Sequence, residues 1–181
     1  GSFPQWLGGM GIILLGIAIL PRLAVGGMQL MGLEATGPTT EKITPRIAET
    51  AKSLWAVYVG LSALLVVLLT LAGMPVFESV LHSFSTLATG GFGIRNTSVA
   101  AYNSAAIDYI LTVFMFIGGT SFALPYWLAR GKPGKLWKSS EFRFYLIFNL
   151  IVILFIAFEV RMTIYPSFLE ALRYSSFQVI S

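Results

Sequence analysis

Ala88-Thr89-Gly90-Gly91-Phe92-Gly93 is the stretch on which the fold turns, with no charge, three glycines and one hydroxyl. Backbone that leaves helical geometry at membrane depth is tolerated only when it is buried in protein or lines a watery cavity. Consecutive glycines permit positive φ angles, so successive carbonyls can be turned the same way. A row of carbonyls aimed at one axis can replace the hydration shell of a cation. Immediately upstream, Pro75 to Leu87 reads as a helix of about three turns, with Pro75 in the first turn, where its missing N–H costs nothing. Phe77, Val80, Leu81 and Phe84 form an apolar stripe that is expected to be buried, and Glu78, Ser79, His82, Ser83 and Ser85 are the polar remainder. At about 1.5 Å per residue this helix is too short to cross a bilayer. Its C-terminal end carries partial negative charge and would favour a cation beside the glycine run.

Two readings fit this pattern. One is a re-entrant pore loop; the other is an extracellular amphipathic helix followed by a flexible glycine turn. The apolar stripe needs somewhere to bury, and no charge interrupts the loop before Arg95. Both features favour the pore loop.

Composition gives the setting. Hydrophobic residues make up 56% of the chain and charged residues 11%, against roughly 25% charged in soluble domains. Mean hydropathy is +0.79, so most of the surface is expected to face lipid. With no cysteine, thiolate metal sites and thiol nucleophiles are excluded. Four segments are long and apolar enough to span: about Trp6 to Val25, Leu54 to Gly73, Ile107 to Leu128 and Phe144 to Val160. Arg22 at the end of the first span and Lys42, Arg46 and Lys52 after it mark the connector between the first two, and Arg130, Lys132, Lys135, Lys138 and Arg143 lie between the last two. The positive-inside rule makes both connectors cytoplasmic and the glycine loop extracellular. These basic connectors, on a net charge of +4, give no nucleic-acid face. In the first connector Gly37-Pro38 reads as a turn, and Thr39 or Thr40 as the cap of a helix starting near Glu41 and continuing into the second span. Trp55 and Tyr58 are expected at interface depth.

The plan of parts recurs. After the fourth span, Pro166 to Phe177 is loosely similar to the first short helix, with Glu170 answering Glu78, Tyr174 answering His82 and Ser175 answering Ser83. The expected fold class is an all-α polytopic membrane protein built of outer helix, pore helix and inner helix repeats, as in potassium-channel-like pores.

Four stretches, in order, resemble the Trk/Ktr/HKT superfamily of potassium transporters, closest to the bacterial Trk type. They are Gln5-Trp6-Leu7-Gly8-Gly9-Met10-Gly11-Ile12; Glu34-Ala35-Thr36-Gly37-Pro38; Lys42 to Lys52; and, most specific, His82-Ser83-Phe84-Ser85-Thr86-Leu87-Ala88-Thr89-Gly90-Gly91-Phe92. The resemblance implies four repeats around one ion path. Residues 1–33 would be the inner transmembrane helix of the first repeat, 34–130 the second repeat and 131–181 the outer and pore helices of the third. It further implies a selectivity filter at Ala88, Thr89, Gly90, Gly91 and Phe92, with Gly91 as the family's filter glycine. Potassium, the substrate, would be held by the backbone carbonyls of Thr89, Gly90 and Gly91, with no covalently bound cofactor. The implied setting is the cytoplasmic membrane, with the filter facing outward. The implied partners are the lipid bilayer, the remaining repeats of the same polypeptide, a second copy in a homodimer and a cytosolic nucleotide-binding regulatory subunit. One filter is present where the family pattern needs four, so the chain is expected to be a partial pore module that does not conduct alone.

Gly118, Gly119 and Thr120 suit either close helix packing or the lining of a cavity below the filter. His82 is read as a packing residue of the pore helix. Asp108, Glu159 and Arg161 are read as snorkelling to water at span ends. Gly9 and Gly11 lack the preceding strand of a dinucleotide site. The rival function is an ion-coupled carrier with alternating access, which needs discontinuous helices bearing functional polar groups; the spans offer few. An intramembrane hydrolase ranks last, because no span presents a nucleophile, base and orienting acid together.

Overall fold

The computed structural model describes residues 1–11, 43–95, 98–120, 131 and 134–181. Among these residues every regular element is helical. The first span beyond residue 11, the Gly37-Pro38 turn with its threonine cap, the third span beyond residue 120 and Lys132-Pro133 lie outside the described residues. Residues 2–11 form helix α1. It is followed by α2 (Ile43–Leu71), α3 (Val76–Leu87), a 3-10 turn (Ser98–Tyr102) and α4 (Ala105–Gly118). A short α5 (Gly134–Lys138) then leads to α6 (Ser140–Thr163) and α7 (Phe168–Ile180).

The long helices follow from their composition. Ala51–Leu71 within α2 and the whole of α6 are long and apolar enough to cross a membrane. At about 1.5 Å per residue, α2 spans roughly 43 Å, which exceeds the hydrocarbon core. It ends where Gly73 takes φ +99°. The Gly73 amide donates to the Thr70 carbonyl at 3.1 Å and the Met74 amide to the Leu69 carbonyl at 3.0 Å, a glycine-capped stop. Pro75 follows, so the chain cannot resume the same helix. Pro75 is the N-cap of α3 rather than part of its first turn.

α3 corrects part of one expectation. Its buried residues include Ser79, His82, Ser83 and Ser85, whereas Phe77 is 72% exposed. The polar side packs inward, and the rest of the apolar stripe, Val80, Leu81 and Phe84, is half-buried, Phe84 against Phe3 and Trp6 of α1. In a membrane protein the polar groups are the ones that must find partners inside. Here they do. Ser83 donates to the Ser62 carbonyl of α2 at 2.9 Å. Trp6 Nε1 donates to Ser62 Oγ at 2.9 Å, and that hydroxyl donates to the Tyr58 carbonyl at 2.8 Å. Tyr58 is thus a buried link between α1 and α2, its hydroxyl donating to the Trp6 carbonyl at 3.2 Å.

The second outer unit repeats the first in register. A shift of 92 positions carries the end of α2, Leu71, onto the end of α6, Thr163, and the start of α3, Val76, onto the start of α7, Phe168. The same shift pairs fully buried Ser79 with fully buried Ala171, and Ser83 with Ser175. α7 packs on α6 and on α4.

Candidate selectivity-filter loop

The loop hangs from the last turn of α3. The Ala88 amide donates to the Phe84 carbonyl at 3.3 Å, Thr89 to Thr86 at 3.1 Å and Gly90 to Ser85 at 2.8 Å. The Phe92 amide donates to the Ser85 hydroxyl at 3.0 Å. Buried Ser85 therefore holds two loop amides, one on its carbonyl and one on its side chain. Sequence reasoning classed Ser85 only as polar; its spacing of seven residues from Phe92 is the signal that was missed.

The carbonyls behave differently. Among the described residues nothing donates to those of Thr89, Gly90 and Gly91. Thr89 has φ +51° and Gly91 φ +67°, while Gly90 between them is outside the left-handed region. Backbone that leaves the right-handed region at Thr89 and Gly91 departs from helical geometry there, a freedom that can turn successive carbonyls the same way. Positive φ at Thr89 is costly for a side-chain-bearing residue, and its hydroxyl donates to the Ala88 carbonyl at 2.8 Å. The loop thus bonds four amides, those of Ala88, Thr89, Gly90 and Phe92, back to α3. It leaves the Thr89, Gly90 and Gly91 carbonyls without a donor among the described residues, oxygens of the kind that can replace the hydration shell of a monovalent cation.

Glycines set the surroundings. A side chain at Gly9 would come within 3.3 Å of Ala88, and one at Gly90 within 2.8 Å of Gln5 Oε1. α1 therefore approaches the loop closely through Gly9 and Gln5, and the Gln5 oxygen is buried with no partner among the described residues. Nothing crowds Gly91, so its constraint is conformational alone. Gly118 is buried against the Thr86 and Leu87 carbonyls, and Gly119 sits under the Tyr145 hydroxyl of α6. Thr120 donates to the Ile117 carbonyl at 2.6 Å. Gly119, Thr89, Gly91 and Phe92 share a cavity of about 750 Å³ that also reaches Ser175 and Gln178 of α7.

The ionisable residues are tied down more than the sequence suggested. Asp108 of α4 pairs with Arg173 of α7 at 3.3 Å, so it does not simply reach for water. Arg161 lies over the Phe168 ring at 5.9 Å. Arg95 makes two bonds to the Glu78 carboxylate, at 2.8 and 3.2 Å, and the Tyr102 hydroxyl donates to the same group. Arg95 and then Tyr102 hold the Glu78 carboxyl below its usual range. His82 is buried beside Tyr102, its Nε2 3.4 Å from the phenol oxygen, and burial lowers its pKa.

Comparison with known proteins gives a consistent result. Residues 2–177 match the TrkH family, described as a cation transport protein. The Trk system potassium uptake protein TrkH of Salmonella typhimurium is 43% identical over 180 residues, covering 98% of this chain and 37% of that protein. TrkG of Escherichia coli is 36% identical over 158 residues, covering 86% of this chain and 33% of the relative. The crystal structure of the potassium transporter TrkH from Vibrio parahaemolyticus superposes with a TM-score of 0.82 at 38% identity, over 99% of this chain and 36% of that one. The chain thus spans about a third of the length of these relatives.

Proposed function

The chain belongs to the TrkH family of cation transport proteins, and from that premise we propose that it forms part of the wall of a potassium-uptake pore. The carbonyls of Thr89, Gly90 and Gly91 are its contribution to the selectivity filter, with Ala88 and Phe92 at the ends of that segment. The observation that carries this reading is the asymmetry of the loop. The amides of Ala88, Thr89, Gly90 and Phe92 are bonded back to α3, while the consecutive carbonyls of Thr89, Gly90 and Gly91 have no donor among the described residues. The potassium uptake named for the relatives supports the choice of ion.

In this reading residues 34–130 form one outer-helix, pore-helix, inner-helix repeat. Residues 1–33 supply the inner helix of the repeat before it, and 131–181 the outer and pore helices of the next. Gly118, Gly119 and Thr120 stand below the filter, where small residues let α4 approach the end of α3. The remaining repeats complete the ring of carbonyls in a multi-pass protein of the cytoplasmic membrane, with the filter facing outward. A homodimer and a cytosolic nucleotide-binding regulatory subunit are the partners the family resemblance brings. The test is Gly91→Ser in the intact transporter, followed by rubidium and sodium uptake. A side chain at φ +67° must strain or flip the peptide, so the rubidium-over-sodium ratio falls. An unchanged ratio contradicts the assignment.

A further inference from the structure

The filter loop has an inner anchor, the last turn of α3, and an outer one at the opposite end of the same helix. We propose that Glu78, Arg95 and Tyr102 form a clamp that holds the outer end of the filter loop, making them positioning residues for ion selectivity. This rests on the pore reading above and adds to it a set of residues that touch no ion.

The geometry carries the proposal in three steps. From Glu78 to Ala88 the helix rises about 15 Å. The chain returns along the helix between Ala88 and Arg95, seven residues that reach about 23 Å when fully extended. That is more than the return needs, so chain length alone does not fix where Arg95 lies; its attachment to Glu78 does. Between the Phe92 amide and Arg95 no hydrogen bond among the described residues fixes the chain. Arg95 is therefore the next point of attachment.

That attachment is specific. The guanidinium meets the carboxylate with two nitrogens, a planar fork that fixes direction as well as distance. Tyr102, from the 3-10 turn, donates to the same carboxylate, and its ring lies 5.1 Å beneath the guanidinium. His82 then meets the edge of the Tyr102 ring, at 5.8 Å between centroids, from the buried face of α3. The clamp thus ties two points beyond the loop, Arg95 just after it and Tyr102 further on, to the helix that bears it. At the matching place in the second unit Glu170 is exposed and makes no ion pair among the described residues.

The experiment uses the intact transporter in rubidium and sodium uptake, normalised to membrane abundance. Arg95→Gln and Glu78→Gln are each expected to lower the rubidium-over-sodium ratio by about fivefold, in keeping with a partly exposed charge pair. The reversed pair, Glu78→Arg with Arg95→Glu, is expected to recover most of the ratio. If Arg95→Gln fails to reach the membrane, Arg95→Lys and Tyr102→Phe take its place, each weakening the clamp without removing its charge and each lowering the ratio by about twofold. Unchanged ratios, or equal losses for both ions, overturn the proposal, because a purely structural role would scale both fluxes together. Gly91→Ser is measured alongside. A ratio altered by Gly91→Ser but not by the clamp variants sinks the clamp alone; a ratio unmoved by Gly91→Ser sinks the pore reading and the clamp with it.

Discussion

The two outer-helix and short-helix units, α2–α3 and α6–α7, start their short helices five positions after the long ones end and bury the same two registers. They differ in how their polar groups are satisfied. In the first, Ser83 donates across to α2. In the second, the equivalent Ser175 hydroxyl is buried and makes no hydrogen bond among the described residues. In the first, the acidic residue of the opening turn is clamped; in the second it is exposed. The contrast teaches that backbone register is set within each unit, whereas polar pairing is set by what packs onto it. α3 has α1 and the returning loop against it, and α7 leans on α4 through Asp108 and Arg173.

The largest test of the shared register is overpacking. Ser79→Leu and Ala171→Leu both push a branched side chain into a contact now filled by a small one. Each is expected to destabilise the protein by about 1–3 kcal/mol, read as a loss of thermal stability in detergent. If one substitution is tolerated, the two short helices are not seated alike. Next in size is the serine pair. Ser83→Ala removes a buried donor and leaves the Ser62 carbonyl without it, at a cost of about 1 kcal/mol. Ser175→Ala gives up no such bond and is expected to be neutral or slightly stabilising. Equal losses would erase the difference between the units.

The smallest effect concerns acid. Arg95, with Tyr102 beside it, depresses the Glu78 carboxyl in the folded state, so its contribution is present above the unfolded carboxylate value. It is lost as pH falls through the lower folded value. The other groups facing Glu78 do not reverse this sign: His82 is held toward its neutral form by burial, and Arg95 stays charged. Glu78→Gln is therefore expected to shallow the acid limb of a stability-against-pH curve. An acid limb identical to that of the unaltered protein would contradict it.

Much of this was legible in the residues. Gly73 and Pro75 marked the break between α2 and α3, and the uncharged glycine run marked the loop. The outward Phe77 and the inward serines of α3 were not, because the rule that apolar residues turn inward belongs to proteins in water. Where lipid or another apolar segment lies outside, Phe77 can face out and Ser79 and Ser83 must face in. Positive φ at Thr89 was hidden as well, since only the glycines advertise that freedom. The pairs Glu78–Arg95 and Asp108–Arg173 join residues too far apart in the chain for helical spacing to reveal.

The central claim is that three carbonyls of one loop select the ion, and the most direct measurement is paired rubidium and sodium uptake by the intact transporter carrying Gly91→Ser. The account predicts a fall in the rubidium-over-sodium ratio at normal membrane abundance, because the residue at φ +67° has open space around it and only its backbone is constrained. A ratio equal to that of the unaltered protein would contradict it.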